Sequence, residues 1–369
     1  MNAVSSPPVI TPRQAADSIR CYYRPAVLFA AGLLLVGTFW FASRYPQLLS
    51  KSQHLGDALP SMAYGGELFA VTASAPVWER VLATMGNWLN SMKIGMGFGV
   101  LLGALLHTVL HFYPLKLGTN RYLNSVKGAL IGVPAGVCAN CAVPVACGVT
   151  RGSGRVETAL GFLFSSPNFN PVVVVMTFTA LPLAIAITKY AVLVLVILAA
   201  VPVLVGWAER SAKPTKGLTD EGHCAVDLSI PCSKSLPQVL AELGRIYLKN
   251  VWGLLRPTLL IMLGASLVAS IALVLVPWGD LLADKSPVTL ALVSLLATAM
   301  PVPIALDVMF AGNLNAQGVS TGYVALFAMS LGSYSIIPSI YLWREVSRRL
   351  AVALFMMFWA IGFICGLVF

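Results

Sequence analysis

The sequence predicts an all-α, polytopic membrane protein with about seven to nine transmembrane helices in two related halves. Apolar residues make up 58% of the 369 residues and charged residues only 10%, whereas soluble domains average about 25% charged residues. The apolar residues also fall into runs of roughly the 20 residues that one transmembrane helix needs. The chain has too few charges to cover a water-soluble surface, so a soluble protein is excluded.

Nine apolar segments follow one another along the chain. Five are predicted to be regular spans: Ala26–Ala42, Ile94–Leu115, Tyr190–Trp207, Pro257–Gly279 and Leu350–Phe369. The other four contain internal prolines: Gly128–Thr150, Thr158–Thr188, Ser286–Leu306 and Val308–Trp343. Because proline lacks the N–H group that a helix interior uses, these four are predicted to be broken helices or re-entrant segments.

Polar stretches divide the chain into four parts. Residues 1–25 are predicted to form a cytoplasmic N-terminal segment, and residues 26–207 the first transmembrane half, with one extra span before its repeat. Residues 208–250 are predicted to form a cytoplasmic polar loop, and residues 251–369 the second transmembrane half. Residues 43–91 are predicted to be an external loop whose later part is amphipathic. We expect a multi-pass protein of the inner (plasma) membrane.

An internal similarity indicates that the halves share a repeat of four segments, which begins at Ile94 and again at Pro257. The pentapeptide AVPVA at 142–146 aligns with PVPIA at 301–305. Proline-rich apolar segments also resemble one another by chance, so the arrangement of charges is the stronger indication.

The basic residues predict how the segments cross the membrane. The net charge of +10 comes from Lys and Arg at the ends of apolar runs, which is typical of membrane orientation rather than of nucleic-acid binding. If Gly128–Thr150 and Ser286–Val308 are re-entrant hairpins, the basic loops all become cytoplasmic, and the turn with Asp280 and Asp284 becomes external. The halves are then inverted relative to each other, as in many secondary transporters.

A C-x-x-C motif, Cys138-Ala139-Asn140-Cys141, lies within the first proline-broken segment. Helical residues three apart share a face, and paired thiolates suit soft species such as copper(I), zinc, cadmium or trivalent arsenic. Cys147 can join the pair if the chain folds back at Pro144. The alternative is that these cysteines are small buried apolar residues. Because the 44–91 loop contains no cysteine, we expect no disulfide framework.

The predicted substrate-binding set includes Asn140 and Pro144 together with these three cysteines, and other residues extend it. His107 and His111 share one helical face, and with Cys138 and Cys141 they are a candidate metal-binding set, although histidines near a span end are also easily solvated.

The SSPNFNP segment is a further candidate. Its two prolines forbid a regular helix, so Asn168 and Asn170 are predicted to contact substrate along the transport pathway or to satisfy the broken backbone. Asp307 is predicted to contact a cation or couple transport to protons, unless it is solvated at the interface. Lys189 lies near a span end, where a lysine is expected to extend toward water.

Three glycines at four-residue spacing, Gly128, Gly132 and Gly136, precede the cysteines. Small residues at this interval let helices approach closely, so we expect tight helix packing here.

The region from Cys141 to Pro171 resembles the predicted-permease family that includes the ArsP organoarsenical efflux permeases and YraQ-like proteins. The shared elements are CAVPV at 141–145, a polar turn ending at Arg151, and FLFSSPNFNP at 162–171. The cysteine motif differs, since the family's usual Cys-x-Cys is here Cys-Ala-Asn-Cys. The resemblance implies a membrane permease and, for the arsenical branch, export of trivalent organoarsenicals through cysteine contacts.

These observations favour a secondary permease that exports a thiophilic solute. The alternatives are a permease for another small anion or sulfur compound, and a membrane redox or metal sensor without transport. The sequence contains no HExxH, GxSxG or nucleotide-binding loop, so we expect neither enzyme activity nor a cofactor. The expected partners are a small-molecule or ion substrate and the lipid bilayer, with no nucleic acid, and assembly as a homo-oligomer is left open.

Overall fold

The computed structural model describes residues 22–46, 49, 68–72, 74–113, 117–211, 235–276, 278–284 and 286–369, with the side chains of 152, 153 and 211 excepted. In these ranges every regular element is helical, which confirms the predicted all-α polytopic class. Most of the predicted segment 1–25 and residues 212–234 of the predicted 208–250 loop lie outside the described residues.

Five described helices are long and apolar enough to cross a membrane: Tyr23–Arg44, Val77–Phe112, Leu183–Arg210, Leu236–Leu275 and Arg348–Val368. A sixth span is the pair Val156–Asn168 and Pro171–Ala180, which bends by 52°. The predicted number of spans is larger because it includes Pro287–Ala299 and Thr321–Ser330, which are apolar but shorter than a full span.

The first half begins with α1 (Tyr23–Phe39), continued by the π-helical turn Trp40–Arg44, and with α2 (Val77–Phe112). Its repeat continues with α3 (Arg121–Gly132), the 3-10 turn Val133–Ala135, α4 (Ala139–Ser153), α5 (Val156–Asn168) and α6 (Pro171–Ala180). It ends with α7 (Leu183–Leu195) and α8 (Val201–Ser211), which the π-helical turn Val196–Ala200 joins into one span.

The second half repeats this order. It consists of α9 (Leu236–Leu275), the short α10 (Trp278–Ala283), α11 (Pro287–Ala299), α12 (Leu306–Ala316), α13 (Thr321–Ser330), α14 (Ile336–Glu345) and α15 (Arg348–Val368). Helix α9 corresponds to α2, the pair α11–α12 to α3–α4, and the pair α13–α14 to α5–α6. Helix α4 packs against α14, and α12 packs against α6. Under this correspondence, the contact between α4 and α14 becomes the contact between α12 and α6. The two halves are therefore related by a pseudo-two-fold axis.

The first hairpin, α3–α4, enters and leaves on the face of the bundle that carries the basic residues. Arg24 pairs with Glu242 at 2.9 Å and lies over the ring of Phe112, which places the end of α2 on this face. Helix α3 begins nearby after a short connection. Arg151, at the end of α4, pairs with Glu345 at 2.8 Å, so α4 and α14 end together on this basic face.

The second hairpin, α11–α12, enters from the opposite face. The Thr321 hydroxyl donates a hydrogen bond to the carbonyl of Phe369, which places the start of α13 beside the end of α15. Leu290, near the start of α11, packs against Gly366 of the same helix end. Because α15 starts at Arg348 on the basic face, the second hairpin lies on the other side. The halves are therefore inverted, as the charge distribution predicts.

Two predicted boundaries were wrong. Helix α2 begins at Val77 rather than at Ile94, so the amphipathic end of the predicted 43–91 loop is the first part of a spanning helix. Trp88 in this part is fully buried and donates a hydrogen bond to the carbonyl of Pro301, 2.7 Å away. Helix α9 likewise begins at Leu236, inside the predicted 208–250 loop.

Candidate functional site

The interruptions of the four broken segments meet in the middle of the bundle. We call this region the central junction and define it by residues 133–138, 169–170, 300–305 and 331–335. The Asn140 amide donates to the carbonyl of Val302 at 3.1 Å and accepts a hydrogen bond from the Ser335 hydroxyl at 2.6 Å. The Ser333 hydroxyl lies 3.4 Å from the Asn168 amide oxygen. Polar groups of both halves therefore satisfy one another at the junction.

Four helices begin at the central junction. Cys138 precedes α4, Asn170 precedes α6, Ala305 precedes α12, and Ser335 precedes α14. The first turn of a helix has free N–H groups and a partial positive charge. Ala305 adopts the left-handed conformation, with φ of 65°, at the sharp reversal that starts α12. The junction is thus a place where backbone N–H groups of both halves are concentrated.

The cysteine pair lies at the first of these helix starts. Cys138 and Cys141 are 2% and 1% exposed and are joined by a disulfide bond. The Cys138 sulfur also accepts the Cys141 N–H at 3.2 Å and lies 3.9 Å from the Met92 sulfur. The sequence predicts a pair of thiolates, but in the structure the two sulfur atoms form a disulfide bond. The thiolates can therefore bind a ligand only after this bond is reduced. The bond closes within one helix turn and links no separate elements, so it forms no framework.

Cys147 does not join this pair. Helix α4 continues from Ala139 to Ser153 through Pro144 without folding back. At 1.5 Å per residue, Cys147 lies about 9 Å beyond Cys141 along the helix axis. Its thiol is buried and free. The structure therefore brings together two of the three predicted cysteine ligands.

His107 and His111 lie near the end of α2 on the basic face. Helix α2 meets Cys141 at Gly95 and Gly99, and His107 is about 12 Å farther along the axis. No group of three or more His, Cys, Asp or Glu residues that could hold a metal ion occurs among the described residues. The predicted four-residue metal set is not assembled in this structure.

Asn168 and Asn170 lie where α5 gives way to α6. Asn168 donates to the carbonyl of Phe164 at 3.0 Å, while Asn170 caps α6 by accepting the N–H of Val172 at 3.0 Å. Both side chains are buried. The Asn170 amide nitrogen has no hydrogen-bond partner among the described residues. The two asparagine side chains thus form hydrogen bonds with backbone groups at the helix break. The amide nitrogen of Asn170 is left without an acceptor among the described residues.

Asp307 is buried rather than solvated, and it forms an ion pair with Lys189 of α7. The prediction that Lys189 extends toward water was wrong, since this side chain is fully buried. Gly332, with φ of 83°, brings the 331–335 break within contact of the Asp307 carboxylate. The neighbouring Tyr190 hydroxyl lies 3.3 Å from the Asn168 carbonyl oxygen. The pair therefore joins the two halves at the central junction.

Sequence reasoning missed the partner of Asp307, Lys189, and missed that Arg44 is buried. Each is a charged residue beside a long apolar run, a position that ordinarily indicates a membrane interface. The available signal was the length of the uncharged sequence around Lys189, which leaves it far from the predicted polar loops. No comparable signal distinguishes Arg44, which lies two residues after the first predicted span.

Comparisons with known proteins are consistent with this architecture. A family model described as "Predicted permease" (ArsP_1) matches residues 99–369. The chain is also similar to "UPF0718 protein YraQ" of Escherichia coli (strain K12), with 23% identity over 337 residues, which cover 90% of each chain. No solved structure gives a significant match. The matched family region contains both hairpins, whereas Arg44 and Gly95 lie before it.

Proposed function

The chain belongs to the ArsP_1 family of predicted permeases, and from that premise we propose that it exports a thiophilic solute across the inner (plasma) membrane. The observation that carries the proposal is the position of Cys138 and Cys141. They lie at the start of α4, where the inverted hairpins meet. Secondary transporters with inverted repeats bind their substrates at such a place, between broken helices near mid-membrane.

Binding begins with reduction of the disulfide. Two equivalents of a low-molecular-weight thiol reduce Cys138–Cys141 to two thiols and are themselves oxidised to one disulfide. A trivalent organoarsenical with two hydroxyl groups then exchanges two As–O bonds for two As–S bonds. The two hydroxyls leave with the two thiol protons as two water molecules. The reverse exchange releases the solute on the other side and restores both thiols.

The start of α4 favours this chemistry. A helix N-terminus stabilises a thiolate, and the thiolate is the nucleophile and the soft ligand. The buried surroundings exclude water from the bound solute, since both cysteines are almost inaccessible. Access from alternate sides requires a rearrangement of the two halves about the junction.

The Lys189–Asp307 pair is our candidate for proton coupling. Protonation of Asp307 removes its negative charge and releases Lys189, which changes the contact between the halves at the junction. We expect Asp307→Asn to abolish the stimulation of transport by a pH gradient.

A permease for a small anion is the second candidate. It is favoured by the four helix starts at the central junction, because helix N-termini bind anions through N–H groups and the helix dipole. Such a permease would not require Cys138 and Cys141 to be reduced.

The test is transport by the purified chain in proteoliposomes with a thiol reductant. The probes are methylarsonous acid, cadmium and copper(I), and the variants are Cys138→Ser/Cys141→Ser and Cys147→Ser. We expect native transport of at least one probe, its loss in the double variant, and its retention in Cys147→Ser. Failure of native protein to carry any probe would contradict a thiophilic substrate. Equal transport by the double variant would contradict a role for the cysteine pair.

A further inference from the structure

Arg44 is a buried cation next to the cysteine pair. It closes the π-helical turn that follows α1 and is only 5% exposed. Its guanidinium group lies 4.8 Å from the centre of the Phe39 ring, and Phe39 stacks on Phe98 with 3.7 Å between ring centres. A guanidinium group that rests on an aromatic face keeps its N–H groups free to point along its own plane.

The glycine at position 95 sets Arg44 and Cys141 opposite each other. A Cβ atom added at Gly95 would lie 2.9 Å from the Cys141 sulfur and 3.3 Å from the Nη2 nitrogen of Arg44. Both distances are shorter than ordinary contacts, so the sulfur and the guanidinium group can pack this closely against α2 only because residue 95 has no side chain. Met92, one helical turn earlier on α2, approaches the Cys138 sulfur on the neighbouring side.

Among the described residues Arg44 has no carboxylate partner, whereas four other cations do. Arg24, Arg121, Arg151 and Lys189 each pair with a carboxylate. By contrast, Arg44 forms no ion pair in the described part of the chain, and its Nε atom has no hydrogen-bond partner there. Burying a charge without a partner is costly, especially within a membrane protein. An anionic group that reaches the guanidinium group offsets this cost.

We propose that Arg44 binds an anionic group of the transported solute while Cys138 and Cys141 bind its soft atom. The inference rests on the proposed function and narrows the substrate class to anionic thiophiles, such as a trivalent arsenical with a carboxylate. Because the sulfur and the guanidinium group flank a single glycine position, the soft atom and the carboxylate are only a few bonds apart. Gly95 allows the sulfur and the guanidinium group to approach each other closely, and the start of α4 adds a second positive potential.

The experiment compares two arsenicals that differ by one carboxylate group. Methylarsonous acid is neutral at pH 7, and carboxymethylarsonous acid carries one carboxylate. Transport of each is measured in proteoliposomes with a thiol reductant, for native protein and for Arg44→Gln, Arg44→Lys and Arg256→Gln. Arg256 is exposed on α9 and serves as the matched control. Gel filtration of each variant verifies that it is folded.

We expect Arg44→Gln to slow transport of the carboxymethyl compound about ten- to a hundredfold. This is the loss of affinity expected when one buried hydrogen bond to a charged group is removed. Transport of the methyl compound should stay nearly native, Arg44→Lys should restore part of the loss, and Arg256→Gln should have no effect. An equal loss for both compounds would overturn the inference, because Arg44 would then act on the thiolates. Unchanged transport of both would also overturn it. If native protein carries neither compound, the proposed function fails and the inference fails with it.

Discussion

Lys189 of the first half and Asp307 of the second half form an ion pair with side chains that are 0% and 5% exposed. The two residues are 118 positions apart in sequence. Two charges can remain together in such a place because each satisfies the other, whereas either one alone is strongly unfavourable. The pair thus makes the packing of the two halves depend on both charges.

Removal of one member of this pair should destabilise the protein. Asp307→Leu leaves Lys189 charged and buried, and we expect a loss of about 3–5 kcal/mol in the free energy of unfolding. The double variant Lys189→Met/Asp307→Leu should recover most of this loss, since no buried charge remains. Thermal unfolding in detergent measures both. If the single variant is as stable as the native chain, the pair is not buried in the folded protein.

The two site cysteines should be oxidised and the other described cysteines free. In a variant with Cys21, Cys224 and Cys232 replaced by Ser, the remaining cysteines are Cys138, Cys141, Cys147 and Cys365. Purified without reductant, denatured and alkylated, this variant should gain adducts only at Cys147 and Cys365. Reduction before alkylation should add Cys138 and Cys141. Mass spectrometry distinguishes the two states, and four adducts without reductant would refute the disulfide.

The contact between α3 and α5 should tolerate no side chain at Gly128. A Cβ atom there would overlap the backbone carbonyl of Thr158, which cannot move aside as a side chain can. We expect Gly128→Ala to reduce stability by about 1–3 kcal/mol. Gly264→Ala on α9 is the matched control, since no atom lies within 4 Å of its added Cβ. The control should leave thermal stability unchanged or raise it, and equal effects of both changes would contradict the packing.

Because the two hairpins are inverted, two short connections should be accessible from opposite sides of the membrane. Thr119 lies before α3 on the basic face, and Gln317 lies after α12 on the opposite face. In a cysteine-free background, Gln317→Cys should react with a membrane-impermeant maleimide in intact cells. Thr119→Cys should react only after the membrane is permeabilised, because the basic face is expected to be cytoplasmic. Reaction of both in intact cells would contradict the inverted arrangement.

Asp284 should make stability depend on pH at the start of α11. Hydrogen bonds from Thr289 and Ser286 hold the pKa of the Asp284 carboxylate below its ordinary value. Since the folded chain favours the ionised form, this stabilisation is complete above the ordinary pKa and is lost as pH falls through the lowered one. Thermal unfolding of native protein and Asp284→Asn should therefore differ at neutral pH and converge in acid. A difference that persists at low pH would exclude this cause.

Local features of the fold could be predicted from the sequence because they depend on local chemistry. The prolines mark the broken segments, the basic residues place both hairpins, and the spacing of Gly128 and Gly132 indicates the close contact of α3 with α5. Gly136 differs from these two, since it adopts a positive φ of 58° in the turn before α4. The four-residue spacing of the three glycines does not reveal that Gly136 forms a turn while the other two allow close helix packing.

The contacts that build the site could not be predicted, because they join residues far apart in sequence. Neither the partner of Asp307 nor the position of Arg44 opposite Cys141 follows from local pattern. The start of α2 was missed because buried polar contacts, such as that of Trp88 with Pro301, make an amphipathic segment part of the core. The sequence predicts a break at Pro144, but α4 continues through it, which local pattern does not reveal.

The polar contacts of the first hairpin also constrain how the protein is made. Asn140 finds its partners in Val302 and Ser335, which are 162 and 195 residues farther along the chain. While the ribosome is still synthesising the second half, the tip of the first hairpin has neither partner. The nascent first half must therefore stay hydrated, or be shielded by the insertion machinery, until the second hairpin arrives. The polar contacts at the tip of the first hairpin therefore form only when the second hairpin reaches it.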